Sequence, residues 1–187
     1  MTSYQNKKCG LLFDLHDTLV NSREAWLLGL TRLNPFRDKE ELEMLYDSLK
    51  RKEICKFLDI SYEDWLKHYQ DNISVKPIMV ELLNIVSTKF KCYIVSNASS
   101  ERVHYDCRLV GEHYFQKIYC KEDGIKPNAE YLKSILADNQ LDYGILVGDN
   151  YQEDYINLPT LQSVIINQSD DAAAILEKII SVAQKFL

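Results

Sequence analysis

The chain has 187 residues, of which 46% are hydrophobic and 27% are charged, and its formal net charge is −6. This length accommodates one α/β domain, or a domain that carries a small insertion, and the composition is that of an ordinary globular protein. An acidic chain without a stripe of Lys and Arg is unsuited to neutralising the phosphates of a nucleic acid, so we expect no nucleic-acid partner.

Five cysteines are scattered along the chain without a CxxC pair, which fits neither a disulfide framework nor a zinc site. The segment MTSYQNKKCG lacks the apolar core of a signal peptide, and no apolar run approaches the length that spans a membrane. These features favour a cytoplasmic protein with reduced thiols and no membrane partner. A protein exported by an unconventional route would look the same.

Short apolar runs alternate with helical patterns along most of the chain, as in βαβ units. We therefore predict an α/β fold with a Rossmann-like, mostly parallel sheet that has helices on both faces. One helix with an apolar face is predicted directly behind Pro77, and a second, within residues 170–187, is predicted to pack on this sheet. The predicted strands are residues 10–13, 92–95, 117–120, 145–147 and 163–166.

The alternation is interrupted by three helical patterns that follow one another with no predicted strand between them. Each pattern begins at a residue that favours helix N-caps, with an acidic residue three positions later, as in a capping box. The three candidate N-caps are Asn21, Asp38 and Ser61.

This helical stretch predicts a small all-helical cap, residues 21–76, inserted after the first strand. The remaining residues, 1–20 and 77–187, would then form the core domain. Such an insert could lie as a lid over the strand ends, and Trp26 and Trp65 could belong to its core or to a substrate platform.

The segment LLFDLHDTLV, residues 11–20, changes abruptly from apolar residues to Asp14, His16 and Asp17. A carboxylate that follows a buried strand is costly unless a cation or hydrogen bonds compensate its charge. The segment therefore predicts a functional site at the end of the first strand.

Other predicted strands also end in polar residues, and a parallel sheet brings the carboxyl ends of its strands to one edge. Ligands of open parallel sheets bind in the crevice at this edge. The candidate site residues there are Asp14, Ser96, Asn97, Lys126, Asp149 and Asp154. The group combines carboxylates with a hydroxyl, an amide and an ammonium, which together suit a metal ion and a phosphoryl group. Mg²⁺ prefers oxygen ligands, while Ser96 and Lys126 would hold phosphate oxygens and offset the charge of the transition state.

Four segments at this edge resemble the motifs of the haloacid dehalogenase-like (HAD) superfamily, and they occur in that family's order. They read FDLHDTL, YIVSN, GIKPN and LVGDNYQED. The resemblance covers nearly all of the chain, and the helical insert lies where members with a C1-type cap have theirs. It implies a Mg²⁺-dependent phosphatase that acts on a phosphorylated small molecule.

The resemblance also implies roles for the residues that handle the phosphoryl group. Asp14 would be the nucleophile and would become an aspartyl phosphate, which water then hydrolyses. Ser96 and Asn97 would bind phosphate, and Lys126 would both bind phosphate and steady the phosphorylated Asp14.

The metal ligands implied by the resemblance are the Asp14 carboxylate, the backbone carbonyl of His16 and the Asp149 carboxylate. Asp154 would be a supporting acid near the ion, or it could only pair with Lys126. The ion would allow an anionic carboxylate to approach an anionic phosphate.

His16 departs from the family pattern, because family phosphatases usually carry a second Asp two residues after the nucleophile. The metal role is unaffected, since the family uses only the backbone carbonyl at this position. A histidine, which titrates near pH 6.5, can in principle serve as both the general acid and the general base. We therefore expect a working phosphatase with His16 as its acid/base, and we do not expect Asp17 to replace it.

The departure leaves other functions open. One is a phosphoprotein phosphatase, for instance one that acts on phosphotyrosine, because the insert is small for a helical cap and a shallower mouth would admit a side chain. Another is a weakly active or non-catalytic binding protein on the same scaffold, and a third is a different reaction of the superfamily.

Overall fold

The computed structural model of the protein describes residues 7–186, and the predicted α/β fold is confirmed. The strands of the sheet are β1 (Cys9–Phe13), β2 (Lys91–Val95), β3 (Phe115–Tyr119), β4 (Tyr143–Gly148), β5 (Asn157–Leu158) and β6 (Leu161–Ile165). The helices are α1 (Ser22–Leu33), α2 (Lys39–Ser48), α3 (Arg51–Leu58), α4 (Tyr62–Asn72), α5 (Pro77–Val86), α6 (Ser100–Val110), α7 (Ala129–Asp138), α8 (Tyr151–Asp154) and α9 (Ala172–Gln184). In the described part of the chain, no helix is both long enough and apolar enough to cross a membrane.

The six strands lie in the order β3-β2-β1-β4-β6-β5. Pairings from β3 through β6 are parallel, and β5 pairs antiparallel with β6 at one edge. The chain builds outward from β1 through β2 to β3, and then returns to the other side of β1 with β4. The strand order therefore reverses at β1, and in sheets of this kind the reversal opens a crevice at the carboxyl ends of the strands.

The central strands are buried on both faces, as expected for a parallel sheet covered by helices. In β1, Leu11, Leu12 and Phe13 have no exposed surface, and Ile145, Leu146 and Val147 of β4 are equally buried. This continuous apolar pattern is the reason that the sequence identified both strands.

The described residues divide into two compact units. One unit contains the residues up to Leu19 and those from Val75 onward, and it holds the whole sheet with α5 to α9. The other unit, Val20–Ser74, contains α1 to α4.

The core of the helical unit is aromatic. Trp26 stacks on Tyr69 with ring centroids 4.3 Å apart, and Trp65 meets Trp26 edge-on at 4.9 Å. The indole nitrogen of Trp65 donates a hydrogen bond to the backbone oxygen of Trp26 at 2.8 Å. Both tryptophans are fully buried, so they belong to the core of this unit.

This unit has one more helix than the three that the sequence predicts, because α3 forms a separate helix. Leu49 has extended backbone angles, φ −121° and ψ 154°, which end α2. The backbone N–H of Lys50 then donates to the Glu53 carboxylate at 2.8 Å, and this contact begins α3. The prediction missed α3 because no Ser, Thr, Asp or Asn marks its N-cap.

Two of the three predicted N-caps accept hydrogen bonds from their helices. The side chain of Asp38 accepts from a helix N–H at 2.7 Å, and the side chain of Ser61 does so at 3.3 Å. Asn21 precedes α1 but does not cap it through its side chain, because that carbonyl oxygen accepts from the Ser74 N–H at 2.7 Å.

The sequence also did not predict β5. It has only two residues, Asn157 and Leu158, so no periodicity could reveal it.

Candidate active site

Asp14 lies at the point where the strand order reverses. It directly follows β1, and its backbone N–H donates to the carbonyl oxygen of Val147 in β4 at 2.9 Å. The ladder between the two strands therefore extends to the Asp14 backbone. This contact fixes Asp14 beside the end of β4, after which Asp149 follows.

Lys126 connects two carboxylates at this edge. Its ammonium donates to Asp14 Oδ1 at 2.7 Å and also contacts Asp154 Oδ1. All three residues are buried, with 3%, 8% and 1% of the surface of Lys126, Asp14 and Asp154 exposed. Removing such charges from water is costly unless they are paired, and one ammonium between two carboxylates provides that compensation.

Gly148 allows Asp154 to reach this position. A Cβ atom on Gly148 would lie 2.2 Å from Asp154 Oδ2, far closer than a Cβ atom approaches a non-bonded atom. The same carboxylate accepts a hydrogen bond from the Asn150 N–H at 3.1 Å. A side chain at position 148 would therefore displace Asp154 from Lys126.

Thr18 connects Asp14 with the exposed Asp149. The Thr18 hydroxyl lies 2.8 Å from Asp149 Oδ1 and 3.3 Å from Asp14 Oδ2. Since a hydroxyl has one hydrogen to donate, the shorter contact to Asp149 is the better hydrogen bond. The loop that carries Thr18 turns at Asp17, whose φ of 62° is left-handed, and Lys76 donates to the Asp17 backbone oxygen.

The carboxylates at this edge form a set of oxygen donors that fits a divalent cation. One oxygen from each of Asp14, Asp149 and Asp154 lies within 4.8 Å of the other two. Among residues 7–186, no Lys, Arg or His forms an ion pair with Asp149. A cluster of carboxylates with one shared ammonium has an excess of negative charge, and Mg²⁺ prefers such oxygen ligands.

Burial and the neighbouring charges together shift the pKa values of these groups. Burial, reinforced by the nearby Asp154 carboxylate, raises the pKa of Asp14 to about 6 although Lys126 opposes the shift. Partial desolvation also raises the pKa of Asp149. Burial alone would lower the pKa of Lys126, but its attraction to Asp14 and Asp154 outweighs burial and raises it. Lys126 therefore remains cationic at neutral pH.

His16 has a partner at each ring nitrogen. Its Nδ1 lies 3.2 Å from Ser96 Oγ, and its Nε2 lies 2.8 Å from Asp106 Oδ2. Burial lowers the pKa of His16, although the hydrogen bond to Asp106 acts in the opposite direction. The two partners, one at each ring nitrogen, therefore fix the orientation of the imidazole.

Ser96 and Asn97 have different local contacts. Ser96 is buried, and its hydroxyl oxygen accepts from the Ala98 N–H at 3.3 Å as well as contacting His16. The Asn97 side chain instead binds the backbone of Lys126, accepting from its N–H at 2.8 Å and donating to its carbonyl oxygen at 3.3 Å. Asn97 thus positions Lys126, and phosphate binding by Ser96 and Asn97 remains a prediction.

Sequence reasoning missed Asp106, Arg102, Thr18 and Lys76. A signal existed for Asp106, because Val103 and Val110 place it on the apolar face of α6 at helical spacing. An Asp on such a face needs a partner, but the sequence alone does not say which one.

The comparisons with known proteins agree with this architecture. The family model of haloacid dehalogenase-like hydrolases matches residues 11–156. This range includes all four segments that carry the candidate site residues. No curated protein matches the sequence of the chain.

Solved structures from three bacteria resemble most of the chain. A candidate β-phosphoglucomutase from Thermotoga maritima has a TM-score of 0.69 and 16% identity, over 96% of this chain and 100% of that one. A magnesium-bound HAD-hydrolase from Bacillus subtilis has a TM-score of 0.66 and 17% identity, over 95% and 99%. A predicted phosphoglycolate phosphatase from Haemophilus somnus has a TM-score of 0.62 and 19% identity, over 93% and 98%. At these identities the likeness shows the fold.

Proposed function

The chain belongs to the haloacid dehalogenase-like hydrolases, and from this membership we propose that it is a Mg²⁺-dependent phosphatase acting on a phosphorylated small molecule. The observation that carries the proposal is the buried pairing of Lys126 with both Asp14 and Asp154, beside the Asp149 carboxylate. A nucleophilic carboxylate, a cation that holds it and further acids for a metal ion are the parts that phosphoryl transfer through an enzyme carboxylate requires.

Asp14 would attack the phosphorus atom of the substrate, and its new O–P bond would form as the ester O–P bond breaks. Water would then attack the same phosphorus atom and release inorganic phosphate, which restores the Asp14 carboxylate. Lys126 would hold the attacking Asp14 in place and offset charge on the phosphoryl oxygens, with Ser96 at the same group.

Mg²⁺ would be held by Asp14, Asp149 and the backbone carbonyl of His16, with Asp154 as a supporting acid. When bound, the ion supplies positive charge that reduces the repulsion between the Asp14 carboxylate and the phosphate. Thr18, whose hydroxyl contacts both Asp14 and Asp149, would keep the two carboxylates turned toward the same point.

His16 would move the proton. As the ester bond breaks, the protonated ring would donate a proton to the leaving oxygen, and it would recover a proton from the attacking water in the second step. One proton is thus given and one regained in each turnover.

The Asp149→Asn variant should require a higher Mg²⁺ concentration for half-maximal activity, by at least about 10-fold, because a charged ligand is replaced by a neutral one. Phosphate release from an ester panel, measured over a Mg²⁺ titration, tests this. Stabilisation of the protein by Mg²⁺ against heat should weaken in parallel. Asp142→Asn is the matched control, since Asp142 lies just before β4 and accepts from the Lys8 N–H at 2.8 Å. Equal Mg²⁺ requirements in the two variants would contradict the assignment of Asp149.

The His16→Ala variant should lose about 10²- to 10⁴-fold in kcat with alkyl phosphates, whose leaving oxygens need a proton. The loss should be much smaller with aryl phosphates that have acidic leaving groups. Steady-state kinetics across esters of graded leaving-group pKa measures the difference. Equal losses for all esters would exclude His16 as the general acid.

The same ester panel separates the competing functions. Higher activity on phosphotyrosine peptides than on metabolite esters would identify a phosphoprotein phosphatase. No Mg²⁺-dependent phosphate release from any ester would favour the binding protein.

The role of residues 21–76 as a cap remains a prediction, and so does the cytoplasmic location, which is compatible with the five free cysteines.

A further inference from the structure

Asp106 is a fully buried acid in α6, and the proposed reaction gives it no role. A helix that packs on the sheet normally presents apolar side chains at such positions, because a buried carboxylate is costly without compensation. Its Oδ2 lies 2.8 Å from His16 Nε2 and 3.6 Å from Arg102 Nε, one turn earlier in α6. Both contacts converge on a single oxygen, so the carboxylate is held between the ring and the guanidinium.

The contact with Asp106 determines where the hydrogen of a neutral His16 ring lies. A carboxylate only accepts hydrogen bonds, so Nε2 must carry the hydrogen. Nδ1 is then unprotonated and accepts from the Ser96 hydroxyl, 3.2 Å away. The Ser96 oxygen in turn accepts from the Ala98 N–H at 3.3 Å. In this arrangement Ser96 donates to His16, and His16 donates to Asp106.

A histidine that serves as an acid/base needs a partner that fixes which ring nitrogen carries the hydrogen, whereas an aspartate does not. The two oxygens of a carboxylate are equivalent, whereas the two ring nitrogens differ, and the partner of one sets the state of the other. An imidazole at position 16 can therefore serve as acid and base only if a second group selects its working nitrogen. Asp106 is placed to do so, because it occupies the nitrogen that faces away from Ser96.

We propose that Asp106 is a positioning residue for His16, which holds the Nε2 hydrogen and so makes Nδ1 the nitrogen that exchanges protons with the substrate and water. The proposal rests on the proposed function, since it assigns the working nitrogen of the acid/base in that same site. Arg102 supports Asp106 by pairing with the same oxygen. Asp106 would act through its hydrogen bond to His16.

The test compares Asp106→Asn, Asp106→Glu and the wild type by kinetics. Asp106→Asn replaces a carboxylate, which only accepts, with an amide that can also donate to Nε2. The Nε2 hydrogen is then no longer enforced, so kcat should fall about 10²- to 10⁴-fold with poor leaving groups while KM changes by less than about 3-fold. Asp106→Glu keeps a carboxylate, which can only accept, and should recover at least about 10-fold of that loss. In a His16→Ala background, Asp106→Asn should cause no further loss. Additive losses in the double variant would overturn the proposal.

A spectroscopic measurement tests the proposal independently of activity. The ¹⁵N chemical shifts of the His16 ring, assigned by comparison with His16→Gln, should show the Nε2–H tautomer in the wild type. The population of this tautomer should fall in Asp106→Asn. An Nδ1–H tautomer in the wild type, or an unchanged tautomer in Asp106→Asn, would overturn the proposal.

The control variant is Asp171→Asn, which changes an N-cap of α9 that accepts from the Ala174 N–H at 2.8 Å. Asn caps a helix as well as Asp does, so kcat and the His16 shifts should stay unchanged. If the wild type hydrolysed no ester, the proposed function would fail. The ring shifts would still show whether Asp106 selects the tautomer.

Discussion

Replacing Asp14 with Asn should abolish Mg²⁺-dependent phosphate release, with a fall in kcat of about 10⁴-fold or more. The amide has nearly the same shape but is a far weaker nucleophile, so no covalent phosphoryl group would form. Turnover of the best ester in the panel measures the loss. A phosphate mimic such as beryllofluoride, added with Mg²⁺, should raise the melting temperature of the wild type but not that of Asp14→Asn.

The control for this substitution is Asp123→Asn, which changes a carboxylate that accepts from the Cys120 N–H at 2.8 Å in the loop after β3. It should retain both turnover and the response to beryllofluoride. Substantial turnover in Asp14→Asn would mean that another group attacks phosphorus or that water attacks it directly. The covalent mechanism would then be rejected, although the metal site could still be correct.

Replacing Lys126 with Met should lower the free energy of unfolding of the metal-free protein by about 3–5 kcal/mol. The ammonium is the shared partner of Asp14 and Asp154, so its removal leaves two buried carboxylates without compensation. Urea denaturation at neutral pH in the presence of a chelator measures the change. Adding Asp154→Asn to Lys126→Met should recover part of the lost stability, because one of the unpaired charges is then removed.

Lys133→Met is the matched control for this effect. Lys133 pairs with Glu130 at 3.1 Å, but both side chains are exposed, and such surface pairs contribute less than about 1 kcal/mol. A similar loss of stability in Lys126→Met and Lys133→Met would show that the buried carboxylates are not compensated by Lys126. A large loss only in Lys126→Met would support the buried network.

The sheet could be predicted from the sequence because its strands are local apolar patterns. The positions of Asp14 and Asp149 could be predicted because each directly follows such a strand. Continuous apolar runs identified β1 and β4, and the polar residues that follow them had to meet at one edge of a parallel sheet. The proximity of Asp14 to Asp149 therefore follows from topology. The structure adds the contacts between them, in particular the shared hydroxyl of Thr18.

The partners of His16 could not be predicted in the same way. Asp106 is carried by a helix, and the side chain that a helix presents to a neighbouring loop depends on its rotation and tilt, which are set by packing across the whole core. The sequence shows only that an acid lies on the apolar face of α6. The missed α3 has a different cause, because its first turn is held by Glu53 and the Lys50 backbone.

The backbone link between Asp14 and Val147 has a consequence for the proposed metal site. Neighbouring strands of any sheet are held about 4.8 Å apart by their peptide groups, and Asp14 and Asp149 follow two such strands. The main chain therefore sets the distance between the backbones that carry these two acids, whereas side-chain contacts such as those of Thr18 orient their carboxylates. Substitutions in the loops that follow β1 and β4 would therefore alter the orientation of the acids while the spacing of the strands stays the same.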